Sequence, residues 1–174
     1  MEQRILIYGY GNPGRQDDAL GTQLAENMRE WASASGLKHV AVETTFQLNI
    51  EDAQNIQGYD KVIFVDASQE SFVQAFLFQK LEPKMEVEFS MHAVSPSFVV
   101  GLANELFGKC PECYLLSVRG YEWQFEEGLS ISAKNNFNLA LKHLTSKILT
   151  WSRVSSSIES MVTWPRVETS PFAG

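Results

Sequence analysis

Gly9-Tyr10-Gly11-Asn12-Pro13-Gly14-Arg15-Gln16-Asp17-Asp18 joins an apolar run to a helix start through three glycines and then sets two carboxylates there. Upstream, Arg4 to Tyr8 reads as a buried strand; downstream, Leu20, Leu24 and Met28 recur at helical spacing. The acids therefore fall on a strand-to-helix turn, where open α/β sheets keep their chemistry. Two carboxylates at that point suit a metal or other cation, not a phosphate.

Outward from this turn, strands are expected at Arg4 to Tyr8, His39 to Thr44, Lys61 to Val65, Ala75 to Leu81 and Tyr114 to Val118, with helices between most of them. The alternation is βαβαβ, then a hairpin, then βα twice, which predicts an α/β fold around a mostly parallel sheet of about five strands. Ser95-Pro96 supplies an N-cap and a first-turn proline for a helix through Val99, Leu102, Ala103 and Leu106, which Gly108 ends. A last helix runs from about Ser132, its apolar stripe formed by Phe137, Leu141, Leu144 and Ile148. Residues 1–151 thus read as one α/β domain. The Ser- and Pro-punctuated stretch 152–174 reads as a tail or loosely docked arm.

Composition narrows the function classes. With 174 residues, 44% of them hydrophobic, the chain can bury one sizeable core but not two. A net charge of −7 without a Lys/Arg cluster argues against nucleic acid as a partner. The apolar run after Met1-Glu2-Gln3-Arg4 is too short for a signal peptide and nothing approaches a membrane span, so a cytoplasmic protein is expected. Cys110 and Cys113 form a lone C-x-x-C, too few thiols for a four-cysteine zinc site or a disulfide framework.

Two further residues join Asp18. Asp66 directly follows the run Val62-Ile63-Phe64-Val65, where a strand can aim it into a crevice, although capping of the next turn through Ser68 is the simpler alternative. His92, in Ser90-Met91-His92-Ala93-Val94-Ser95-Pro96, lies just ahead of a helix and can turn into a site or simply face solvent.

The ordered set of Gly9-x-Gly11-Asn12, Asp18 and Gly21, then Val65-Asp66-Ala67, then His92 leading into Ser95-Pro96, resembles the hydrogenase maturation endopeptidases over most of the chain. Gln47-Leu48 and Gly128-Leu129-Ser130 fit the same resemblance. It implies a three-layer α/β sandwich with a twisted central sheet and helices on both faces. It also implies a metal site at Asp18, Asp66 and His92, with these three as the catalytic set. The implied activity is hydrolysis of a peptide bond near the C-terminal cysteine motif of a nickel-iron hydrogenase large-subunit precursor. The nickel is brought by that precursor, and other divalent ions can substitute in the isolated protein. Two carboxylates and an imidazole form a reasonable borderline ligand set that leaves positions open for a partner's ligands. Cleavage follows either from nickel polarising the carbonyl and activating water, or from Asp17 or Asp18 acting as base. A non-catalytic module that binds nickel or a nickel-loaded partner is the alternative from another class.

Gly9, Gly11 and Gly14 also spell G-x-G-x-x-G, yet Asp17 and Asp18 would repel a pyrophosphate at the helix start, which disfavours a nucleotide-binding protein. Asp17 is expected to do no more than complement the helix dipole, Asn12 to shape the turn, and the glycines to permit positive φ or close approach. The C-x-x-C precedes a strand, so a thioredoxin-like role lacks its activating helix N-terminus. His39 and His143 carry no motif, and His143 reads as a surface side chain. Tyr121, Trp123 and Phe125 either grip a partner or pack with period two.

Overall fold

The computed structural model describes residues 3–84 and 94–161, with side chains through 153. Five strands form one sheet: β1 (Ile5–Tyr10), β2 (Val40–Thr45), β3 (Lys61–Ser68), β4 (Phe76–Lys80) and β5 (Glu112–Arg119). Their order is β2-β1-β3-β5-β4. Every neighbouring pair is parallel except β4, which runs antiparallel to β5.

Side-chain parity along the strands builds three layers, because successive residues point to opposite faces. Ile5, Ile7, Ile63, Val65, Leu116 and Val118 meet α1 (Leu20–Ala34) and α4 (Ile131–Met161) in one core. Leu6, Tyr8, Val62, Phe64 and Cys113 face the other way, toward α2 (Asp52–Asn55) and α3 (Pro96–Phe107). Continuous apolar runs such as Val62 to Val65, all fully buried, are what a parallel sheet covered on both faces requires.

The hairpin expected after the third strand does not form. β5 takes the place beside β3, and β4 pairs with the outer side of β5, from Phe76 opposite Val118 to Lys80 opposite Tyr114. The reason lies in polarity: β3 is apolar enough to need a strand on each side, whereas β4 ends in exposed Gln79 and Lys80 and suits an edge.

Helix ends follow their local chemistry. The Ser95 hydroxyl accepts from Phe98 N–H at 3.2 Å, Pro96 opens α3, and Gly108 closes it at φ 63°. At the start of α4 the Ser130 hydroxyl accepts from Ala133 N–H at 3.2 Å. That helix continues past Trp151 to Met161. Trp151 docks on the sheet, its ring 5.2 Å from that of Tyr114 and 5.0 Å from the Lys61 ammonium. His143 is not a solvated side chain: its ring packs 5.0 Å from Phe76 and 5.2 Å from Phe78, because β4 supplies an aromatic wall for α4. No helix among the described residues is long and apolar enough to cross a membrane.

Candidate functional site

The sheet has its switch point at β1. The chain leaves β1 through α1 on one face to reach β2, then passes through α2 on the other face to reach β3 on the opposite side. A crevice opens beyond the carboxyl ends of strands at such a point. Gly9 and Gly21 bring its walls together: a Cβ on Gly9 would lie 2.3 Å from the Gly21 carbonyl oxygen, and one on Gly21 would lie 2.5 Å from that of Val65. α1 therefore rests backbone to backbone on β1 and β3.

The glycine turn delivers Asp18 to the crevice. Gly11 has φ 132°, and a side chain there would collide with the Asp18 carbonyl. Asn12 shapes the turn as expected, its side-chain oxygen accepting from Gly14 N–H at 2.9 Å. Its own N–H donates to Asp18 Oδ2 at 3.1 Å. Asp66 enters from the end of β3, next to Tyr10, the last residue of β1. Burial pushes the Asp66 carboxyl up to about 7; hydrogen bonds from the Tyr10 hydroxyl and Ala67 N–H oppose this, and the nearby negative charge of Asp18 adds to it. Burial, together with Asp66, raises the Tyr10 phenol far above its ordinary value, so it stays a donor. Among the described residues neither Asp18 nor Asp66 has an ion-pair partner. His92 lies outside the described residues. Within them no group of three His, Cys, Asp or Glu side chains converges.

Asp17 is neither a surface dipole partner nor available as a base. It is fully buried, and four donors saturate its carboxylate. Oδ2 accepts from Tyr121 N–H at 2.7 Å, Glu122 N–H at 2.9 Å and the Ser130 hydroxyl at 2.8 Å, while Oδ1 accepts from Ser130 N–H at 2.7 Å. Burial works to raise its pKa, but those backbone and hydroxyl donors hold it below the usual carboxylate range. Asp17 thus ties the first turn to the loop after β5 and to the start of α4. Gln16 joins it, at a positive φ of 41°, held by its N–H to the Glu126 carbonyl at 2.8 Å and by Gln124 N–H to its side-chain oxygen at 2.9 Å. The same contacts use up the N–H groups that a phosphate would need: Asp17 N–H donates to the Glu122 carbonyl and Asp18 N–H to that of Arg15.

Sequence reasoning missed Tyr10 as a neighbour of Asp66, because the register that sets the end of β1 beside Asp66 is a pairing of strands far apart in the chain and leaves no local signal. On the outer side of the glycine turn, a groove of about 390 Å³ is lined by Gly11, Pro13, Thr22, Thr44, Thr45 and Phe46. It touches neither acid. Large apolar tips crown the carboxyl edge of the sheet: Phe46 after β2, Phe72 after β3 and Phe125 after β5 are 68%, 68% and 82% exposed. Tyr121 and Phe125 therefore do not pack with period two.

No family model and no curated protein matches the chain. Solved structures do. The [NiFe] hydrogenase maturation protease HycI from Thermococcus kodakarensis KOD1 superposes with a TM-score of 0.66 at 24% identity, over 86% of this chain and 94% of that one. The hydrogenase maturating endopeptidase HybD from E. coli gives 0.62 at 18% identity, over 84% and 93%. HybD from Thermococcus kodakarensis gives 0.62 at 18% identity, over 83% and 98%. With its five-stranded, mostly parallel sheet between two helical layers, the chain has the fold in which [NiFe] hydrogenase maturation proteases are built.

Proposed function

We propose that this chain is an endopeptidase that recognises nickel already inserted in the large-subunit precursor of a nickel-iron hydrogenase and removes the precursor's C-terminal peptide. One observation carries the reading: Asp18 and Asp66, neither ion-paired among the described residues, converge at the switch point of a sheet that matches these proteases in fold. Two neighbouring carboxylates without a cation repel each other, and a divalent ion relieves that repulsion while accepting oxygen ligands. His92 is proposed as the third ligand, arriving from the segment ahead of Ser95. The exposed Phe46, Phe72 and Phe125 suit a protein substrate, since exposed aromatic side chains are enriched on partner surfaces.

Hydrolysis requires water to add to the scissile carbonyl and the amine to leave with a proton. The substrate's nickel would supply carbonyl polarisation and water activation. On the protein side, Asp18 keeps Oδ1 outside any hydrogen bond among the described residues, so it can hold the ion or take the water's proton. Asp17 takes no part in this chemistry, because its oxygens are already engaged.

The test is the intact mass of a large-subunit precursor after incubation with this protein, with and without nickel, and with the Asp18→Asn and His92→Ala variants. Loss of a short C-terminal peptide only with nickel, and only with both residues intact, is expected. Nickel-dependent complex formation without any mass change would instead establish a binding module. Equal cleavage of the nickel-free precursor would remove the metal from recognition.

A further inference from the structure

The C-x-x-C pair lies at the amino end of the sheet, where Cys113 stands opposite Val62, roughly 13 Å along β3 from Asp66. It stands apart from the chemistry proposed for the other edge. Cys113 is the second residue of β5 and only 2% exposed, whereas Cys110 is half-buried in the loop that follows α3. Both open on a cleft of about 420 Å³ lined also by Lys80, Leu81, Val100 and Pro111. The two thiols share this cleft three residues apart, and the Cys113 thiol donates to the Pro111 carbonyl at 3.4 Å.

Two features direct what this pair can do. β5 holds Cys113 in place, with Leu81 N–H donating to its carbonyl at 2.9 Å, while Gly108 in a left-handed conformation leads into the Cys110 loop. Of the carboxylates lining the cleft, Glu82 and Glu112, the second is engaged by Lys61 and Tyr114, and no group of three possible metal ligands forms among the described residues. These are also the chain's two cysteines, so an internal bond has one possible pairing.

We propose that Cys110 and Cys113 form a reversible disulfide, with Cys110 as the entering thiol and Cys113 as the resolving one. The co-reactant is a low-molecular-weight disulfide, here oxidised glutathione. The Cys110 thiolate attacks one glutathione sulfur, forming a mixed disulfide and releasing one glutathione thiolate. Cys113, having lost its proton, attacks the Cys110 sulfur and releases the second. The two protein protons end on the two glutathione thiols, so two thiols are oxidised and one disulfide is reduced. The neighbouring Cys113 thiol lowers the Cys110 pKa and favours first attack there, whereas the same contact and then burial raise Cys113 and keep it from attacking first.

Whole protein is incubated with oxidised glutathione and read by intact mass and thiol alkylation. Wild type is expected to lose two hydrogens and both alkylatable thiols without retaining glutathione, and to regain both on reduction. Cys113→Ser is expected to keep one glutathione on Cys110, and Cys110→Ser to react far more slowly. Should Cys113→Ser fail to fold, Cys113→Ala replaces it. Wild type that keeps both thiols, or that holds the same stable adduct as Cys113→Ser, would overturn the proposal. So would equal reactivity of Cys113 in Cys110→Ser.

Discussion

Adjacent aspartates with opposite fates show how little residue type says without its neighbours. Asp17 points into protein and is saturated by four donors; Asp18, one position on, turns toward the crevice with a single backbone donor among its described contacts. Removing the Asp17 carboxylate leaves Tyr121 N–H, Glu122 N–H and both Ser130 donors without an acceptor. Asp17→Ala is therefore expected to cost about 3 kcal/mol in chemical denaturation, since orphaned buried donors carry most of their desolvation penalty. Asp18→Ala is expected to change stability by less than about 1 kcal/mol and to abolish precursor cleavage. Equal stability losses for the two variants would contradict this division. The sequence shows an acid pair at a helix start, and both orientations are compatible with that pattern; the loop after β5, over a hundred positions away, decides which acid is buried.

Among the elements, α4 and β4 illustrate packing that periodicity underdescribes. The stripe through Phe137, Leu144 and Ile148 marks the buried face of α4, yet His143 also packs inward because Phe76 and Phe78 of β4 stand beside it. Burial lowers the His143 pKa, and the nearby Lys147 lowers it further. The unfolded chain therefore takes up the proton before the folded one does. Stability is complete above the ordinary histidine pKa, about 6.5, and falls as pH drops from there toward the depressed folded value. Melting temperatures across that window should decline for wild type and decline less for His143→Leu. The same limit explains the missing hairpin: strand positions were legible from apolar runs, but which strand becomes the neighbour of β3 depends on competition between β4 and β5 for one edge.

For the molecule as a whole, the single core expected from chain length is divided: one sheet separates two apolar clusters, each closed by its own helices, because a parallel sheet must be covered on both faces. Leu144 and Ile56, both fully buried, sit on opposite faces. Leu144→Ala and Ile56→Ala are each expected to cost about 3 kcal/mol, and the double variant should equal their sum within about 0.5 kcal/mol, because they share no contacts. A coupling well above that in denaturant titrations would mean that the sheet transmits strain between its faces. By itself, the sequence determined the order and type of elements, the turn that carries Asp18, the strand that leads into Asp66, and the caps of α3. Those features rest on local physics: period of apolar residues, glycine conformations and capping hydroxyls act within a few positions. Only the tertiary structure decided the strand order, the burial of Asp17 under the loop after β5, the meeting of Tyr10 with Asp66 and the aromatic seat of His143. Each of these is a contact between residues distant in the chain, set by which surfaces exclude water together.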